Sequence, residues 1–305
     1  MKKIIIIVIL CLMSWNQMGC SNQAVHTDGY KYVIGVSIPN AQEPWIRNMM
    51  GEIRAEVTVK YPDTNIIFKD ATDSLTQQIA DIEALLESKV DLLIVTPIAN
   101  REIGEVLTQK EVTTPVPVII AGVDSEMDKY ASVIKFDDVK IGKIAGEYIL
   151  KKLYSQGDKV AVITGREYSV LSENRLKGFK EAIKGAIPEN DIKYYNGEWL
   201  KDKAEDRMKD YLVLYGDIDI VFAFNDEMAY GAYEAAHKLR VAKANFVGVD
   251  GFSGKEGGKE LVEQEIINAT ISCTGIGEKS IETARKILEG KEVDKKIVLG
   301  AELIQ

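Results

Sequence analysis

The sequence predicts an α/β fold of two doubly wound parallel-sheet lobes. Three observations carry this. Predicted strands such as DLLIVTP (91–97) and DIVFAF (219–224) are unbroken apolar runs, the pattern of parallel strands covered by helices on both faces. Strand and helix alternate along the body, and the alternation restarts after residue 136. About 285 of the 305 residues follow the N-terminal segment, more than one lobe ordinarily holds.

In the first series, KYVIGVSI (31–38) is a strand and residues 44–61 read as a helix. NIIFKD (65–70) is the next strand, and 74–88 is helical, with Ile79, Ile82 and Leu85-Leu86 near helical spacing. DLLIVTP stops at Pro97, PVPVIIAG (115–122) is a strand with no helix assigned before it, and ASVIKF (131–136) ends the series. A helix over 138–154 follows, with Ile141, Ile144, Ala145, Tyr148 and Ile149 on one side. The second series is strand 159–165, helix 171–184, strand 191–196, helix 201–215, strand 219–224, helix 226–240, strand 245–251 and helix 256–264. Strand 268–273, helix 276–290 and one strand, KIVLGAELI (296–304), close the chain. No low-complexity linker divides the two series.

Residues 1–20 stand apart from the fold. Lys2-Lys3 precede an apolar run, Ile4 to Met13, too short to span a bilayer, as in a cleaved secretory signal. Gly19-Cys20 followed by Ser21-Asn22-Gln23 resembles a bacterial lipoprotein processing site, although Gln17 stands where that pattern usually has an apolar residue. The resemblance makes Cys20 the lipid anchor to a membrane; ordinary cleavage nearby is the alternative. Beyond Cys11 and Cys20 the only cysteine is Cys273. A domain of this size needs no disulfide. With both lysines of 1–20 set aside, the remainder carries a net charge of −11, which disfavours nucleic acid and anionic bilayers as partners.

Catalytic and metal signatures are lacking. GIGEKS (275–280) has no GK[ST] at the required spacing, and there is no G-x-S-x-G, H-E-x-x-H or paired-cysteine motif. Cys273 as a nucleophile would need a histidine, and only His26 and His237 exist. Asp137-Asp138 reads as a strand end that caps a helix. No enzyme, cofactor or metal is expected. The most informative stretch is VFAFNDEMAYG (221–231), where Asn225-Asp226 ends a buried strand and starts a helix. In open α/β sheets ligands bind at such ends.

IKFDDVKIGKIAGEYI (134–149), VFAFNDEMAYGAYEA (221–235), FVGVDG (246–251), NATIS (268–272) and SIETARKILEGKEV (280–293) resemble the periplasmic sugar-binding proteins of the ribose/galactose type, from about Tyr32 to Gln305. The same body occurs in sugar-responsive repressors, which carry a helix-turn-helix that this chain lacks. The resemblance implies the type I periplasmic-binding-protein fold, with a sugar in the cleft and a hinge of three crossovers near Phe136-Asp137, Cys273-Thr274 and Leu299-Gly300. The N-lobe would be 30–136 plus 274–299, and the C-lobe 137–273 plus 300–305.

Carried over residue by residue, the resemblance assigns ligand contacts to Glu43, Trp45 and Ile46, to Arg175, and to Trp199. Trp45 would stack on the sugar ring, whose C–H groups meet an electron-rich face. Glu43 stands where an amide is common and could only accept. Arg175 would hold the sugar by its fork of donors, and Trp199 would close from the C-lobe. Asn225 can donate and accept, and Asp250 can accept from two hydroxyls; the alternative for each is a helix cap. Two positions depart from the ribose-type pattern. Gly122-Val123 replaces an Asp-Arg pair, leaving Asp124 as a substitute, and Cys273 stands in place of a glutamine. A site that reads hydroxyls depends on its paired polar groups, so the sugar is not expected to be ribose itself. The implied partner is an ABC permease; the alternatives are a sensor histidine kinase or chemoreceptor, and an extracellular hydrolase using Glu43 and Asp250.

Overall fold

The computed structural model describes residues 29–111, 115–124, 130–241 and 243–305, leaving the leader and Cys20 outside the described residues. Two six-stranded sheets organise it. The first contains β1 (Tyr32–Ile38), β2 (Thr64–Asp70), β3 (Leu92–Val95), β4 (Val118–Ala121), β5 (Ser132–Phe136) and β11 (Lys296–Leu299), in the order β11-β5-β4-β3-β1-β2 and parallel throughout. The second contains β6 (Val160–Thr164), β7 (Ile192–Asn196), β8 (Ile220–Ala223), β9 (Asn245–Asp250), β10 (Ala269–Ser272) and β12 (Glu302–Ile304), in the order β12-β10-β9-β8-β6-β7. Here only β12 is antiparallel, to β10. β3, β4 and β8 are buried along their whole length, which is why their sequences show no alternation.

The helices run in chain order: α1 (Pro44–Lys60), α2 (Leu75–Glu87), α3 (Asn100–Glu111), α4 (Asp138–Tyr148), α5 (Val170–Ile183), α6 (Lys201–Tyr215), α7 (Asp226–Lys238), α8 (Gly258–Glu263) and α9 (Ile276–Leu288). Among the described residues no helix is long and apolar enough to cross a membrane. Two local readings differ from expectation. α3 was not expected, although Ile103, Val106 and Leu107 stand at helical spacing, and of these Ile103 and Leu107 are buried. The helix expected over 138–154 is α-helical only to Tyr148 and finishes in a π-turn over Ile149–Leu153. The terminal apolar run, read as one strand, divides where the resemblance placed a crossover, near Leu299-Gly300: β11 belongs to one sheet and β12 to the other.

The chain crosses between the sheets three times: from β5 into α4, from β10 into α9, and from β11 into β12. Packing fixes the elements beside these crossings. α9 begins at Gly275 with no side-chain cap of its own, and Glu52 of α1 accepts from the Gly275 and Gly277 N–H groups at 2.8 Å each, satisfying donors the helix leaves open. α4 and α5 press together where each carries a glycine. A Cβ at Gly142 would lie 1.9 Å from the Arg175 carbonyl oxygen, and one at Gly178 would lie 1.8 Å from that of Val139. This approach brings the first turn of α4 against Arg175.

Candidate functional site

In a parallel sheet all strand ends of one kind lie along one edge. The strand order reverses between β1 and β3 in the first sheet and between β6 and β8 in the second, so each has a crevice at its carboxyl edge. The two edges face each other, and between them lies a cavity with about 570 Å³ of atom-free space, its mouth included. From the first lobe come Glu43, Pro44 and Trp45 after β1, Gly122 after β4 and Phe136 at the end of β5. From the second come Asp138 of α4, Leu171 and Arg175 of α5, Trp199 after β7, Asn225 after β8, Asp250 at the end of β9 and Cys273 after β10.

The two tryptophans, one per lobe, are each seated against a glycine. A Cβ at Gly122 would stand 2.8 Å from the Trp45 ring, and one at Gly165 would stand 2.1 Å from the Trp199 ring. Trp199 is held further by its backbone. Glu198 and Trp199 adopt φ values of 54° and 66°, a conformation L residues seldom take unless their surroundings impose it. Asn225 Nδ2 donates to the Trp199 carbonyl at 3.0 Å, while its Oδ1 accepts from the Met228 N–H at 2.7 Å. Asn225 is therefore a helix cap that also fixes the loop of the ring, and it still lines the cavity.

Arg175 is buried, and its guanidinium is already engaged. Nε and Nη2 donate to Asp138 Oδ1 at 3.2 and 2.7 Å, and Nη1 donates to the Phe224 carbonyl. Its charged plane lies 5.6 Å from the Trp199 ring centroid and 5.8 Å from that of Phe224, within cation–π range. Two of its five N–H groups are left for a ligand. The Asp137-Asp138 pair was expected to end a strand and cap a helix. Asp137 does that, accepting from the Lys140 N–H, while Asp138 turns inward to Arg175. Burial raises the Asp138 pKa, and Arg175 opposes the rise.

Behind the cavity Asp250 adjoins Asp226. Burial pushes the Asp226 carboxyl up to about 7, against the pull of the Gly251 N–H that donates to it at 2.7 Å. Burial and then the Asp226 charge raise Asp250 well above the carboxylate range, with Arg175 opposing. Two buried acids side by side cannot both ionise cheaply, so the pair keeps a proton near neutral pH. Its φ of 117° is held by burial between β9 and the loop after it. Cys273 is buried, and its thiol pKa is raised, burial being the main cause. His237 stacks on Tyr233 at the far end of α7 from Asn225, so among the described residues no thiol–imidazole pair forms.

Seven of the nine candidate contacts thus converge: Glu43, Trp45, Arg175, Trp199, Asn225, Asp250 and Cys273. Two do not line the cavity. Ile46 follows Trp45 on α1 but turns into the core beneath it. Asp124 pairs with Lys135 and Lys296 at 2.5 Å each. Partial burial works to raise its pKa, but the two ammonium groups outweigh it and hold the carboxyl below its ordinary value. Gly122 occupies the place beside Trp45 instead. Sequence reasoning missed Phe136, Leu171 and Asp138 as lining residues, although the Asp137-Asp138 pair at a strand end was a usable signal.

A cavity at facing strand ends, two aromatic faces and a polar set rich in carboxyls is the geometry of a clamp for a small hydroxylated molecule. The comparisons agree. The profile of the family described as "Periplasmic binding protein domain" matches residues 34–292. The chain is 30% identical over 242 residues to the ribose import binding protein RbsB of Escherichia coli, covering 79% of this chain and 80% of that protein. The Bacillus subtilis protein of the same name is 28% identical over 269 residues, covering 88% and 85%. Among solved structures, the fructose binding periplasmic domain of a hybrid two-component system superposes with a TM-score of 0.78 at 29% identity, covering 90% of each chain. These relatives are named for the sugars they bind. This chain belongs to the periplasmic binding protein family, in its sugar-binding, type I branch.

Proposed function

We propose that the protein is an exported solute-binding protein that captures a monosaccharide or related small polyol between its lobes and delivers it to an ABC importer. The cavity between Trp45 and Trp199 is the observation that carries this reading. A pyranose or furanose ring has two faces of C–H groups and a rim of hydroxyls. Two indoles from opposite lobes suit the faces, and Glu43, Asp138, Arg175, Asn225 and Asp250 suit the rim. The polar set also disfavours an anionic ligand. Carboxyls outnumber cations, and Arg175 is already balanced by Asp138, so a sugar phosphate or uronate would meet unfavourable charge. The ligand class is neutral and hydroxyl-rich.

Closure follows from the same arrangement. The crossings after Phe136, Cys273 and Leu299 would act as the hinge between 30–136 plus 274–299 and 137–273 plus 300–305. A ligand touching both lobes binds best when they meet, so it shifts the population toward the closed form. The ribose import binding proteins support delivery to an importer. A second reading, presentation of the ligand-bound form to a membrane histidine kinase, is favoured by one observation: a structural relative at 29% identity is the periplasmic part of a hybrid two-component system. Lipid on Cys20 would hold the protein at the membrane in either case.

The test is thermal unfolding with a panel of neutral pentoses, hexoses and inositols, followed by calorimetry. A ligand at 100 times its dissociation constant should add about 2.7 kcal/mol. No shift with any neutral sugar, or a shift with sugar phosphates alone, would overturn the reading. Mass spectrometry of the envelope-derived protein tests the lipid. Importer and sensor roles separate by uptake of the labelled sugar in a strain lacking the gene.

A further inference from the structure

Glu43 occupies the cap position of α1, yet its side chain makes no hydrogen bond to that helix. A residue there ordinarily turns its oxygen onto the first turn. Glu43 is instead aimed across the cleft. Arg166, after β6 in the other lobe, donates from Nη2 to Glu43 Oε1 at 2.8 Å and pairs through Nη1 with Asp73 Oδ1 at 3.1 Å. Both acceptors are fixed. Asp73 sits in a turn where it and Thr72 have φ values of 64° and 48°, and Asn40 donates to its Oδ2 at 2.5 Å. Glu43 follows the chain turn that Pro44 imposes at the start of α1. Arg47, one turn further on, faces the opposite way and pairs with Glu227 of the second lobe. The cleft therefore has a charge pair of opposite polarity on each side of Trp45, and each pair needs both lobes.

Arg166 does not itself line the cavity, but Glu43 does. With Oε1 taken by Arg166, Oε2 is the atom left for a ligand. We propose that Arg166 is a positioning residue: reaching over from the second lobe, it aims Glu43 into the cavity and keeps that carboxylate a pure acceptor while the lobes are together. The inference rests on the sugar-binding reading above and adds to it which group sets the ligand's donor requirement at this point. Among the described residues the charged groups acting on Glu43 are Arg166 and Asp73. Burial raises its pKa, Asp73 adds to the rise, and Arg166 alone opposes it. Removal of the guanidinium would leave a half-enclosed acid beside another acid, inclined to take up a proton. A protonated Glu43 donates where the ligand expects an acceptor.

The experiment titrates the Glu43 carboxyl by carbon-13 NMR in the full-length protein, with Glu43→Gln to assign the resonance. Arg166→Gln should move its midpoint upward, and Arg166→Lys should restore most of the wild-type value. Arg47→Gln should leave Glu43 unmoved and so controls for loosening of the cleft. In parallel, affinity for D-fructose, D-ribose and D-allose is measured from mildly alkaline to mildly acidic pH. For whichever sugar binds, Arg166→Gln should lose roughly fivefold in affinity on acidification, the scale of one half-exposed ion pair, while the wild type stays flatter. An unmoved Glu43 midpoint in Arg166→Gln overturns the proposal, whether or not a sugar binds. A midpoint that rises while no sugar binds supports Arg166's hold on Glu43 and places the failure in the binding reading instead.

Discussion

The buried acid pair behind the cavity makes stability depend on pH in a direction opposite to that of most surface carboxylates. Asp226 has a folded-state pKa of about 7 against an unfolded value near 3.8. Between those values the folded protein binds more protons than the unfolded chain, so stability must fall as pH rises. The contribution is fully present below the unfolded pKa and is lost by about pH 7. A shift of roughly three units corresponds to an upper limit of about 4 kcal/mol. Asp250, raised for the same reason, adds in the same sense. Asp226→Asn is the informative change, since the amide oxygen can still accept from the Gly251 N–H and no charge remains to be buried. Urea unfolding is followed by tryptophan fluorescence between about pH 5 and about pH 8. The wild-type midpoint should fall with rising pH, and the variant's should fall less steeply, through Asp250 alone, and lie higher than wild type at the alkaline end. If wild-type stability is constant or rises over that range, or if Asp226→Asn retains the whole slope, the pair does not share a proton as argued.

Other outcomes follow from the same geometry. Gly165→Ala places a methyl 2.1 Å from the Trp199 ring; the ring must retreat by more than an ångström, and an overpacking cost of about 1–3 kcal/mol should appear mainly as weaker sugar binding by calorimetry, with a small loss in melting temperature. Asp138→Ala leaves Arg175 buried with no counter-charge and should cost about 3–5 kcal/mol by urea unfolding, whereas Asp137→Ala removes only a cap worth about 1 kcal/mol. Asp124→Asn breaks two half-exposed ion pairs remote from the cavity. It should cost up to about 1 kcal/mol and leave the sugar dissociation constant unchanged.

Much of the architecture was legible before folding. Unbroken runs such as those of β3, β4 and β8 can only be strands buried on both faces, and their alternation with helices fixes parallel sheets. Once that is granted, residues that follow strands must gather at one edge. This is why Glu43, Trp45, Trp199, Asn225, Asp250 and Cys273, scattered over the chain, meet at one cavity. α3 escaped although Ile103, Val106 and Leu107 stand at helical spacing, because they are the only large apolar residues between Asn100 and Glu111. The split between β11 and β12 came from the family resemblance, which placed a crossover near Leu299-Gly300, and not from the apolar pattern, because adjacent residues of one apolar run can serve different sheets.

What the tertiary structure alone decided is partnership. Asp138 and Arg175 are 37 residues apart, and Arg166 and Glu43 are 123 apart; nothing in the local pattern of either says which charge it will meet. Ile46 and Asp124 show the same limit from the other side. Ile46 is next to a cavity residue in the chain and Asp124 is two positions from one, yet helix phase turns Ile46 into the core and two lysines from neighbouring strands claim Asp124. Local sequence determines periodicity and chain direction, because those depend on backbone geometry a few residues at a time. Contacts between distant side chains depend on how α4 crosses α5 and how one lobe faces the other, and these exist only once the sheets have formed.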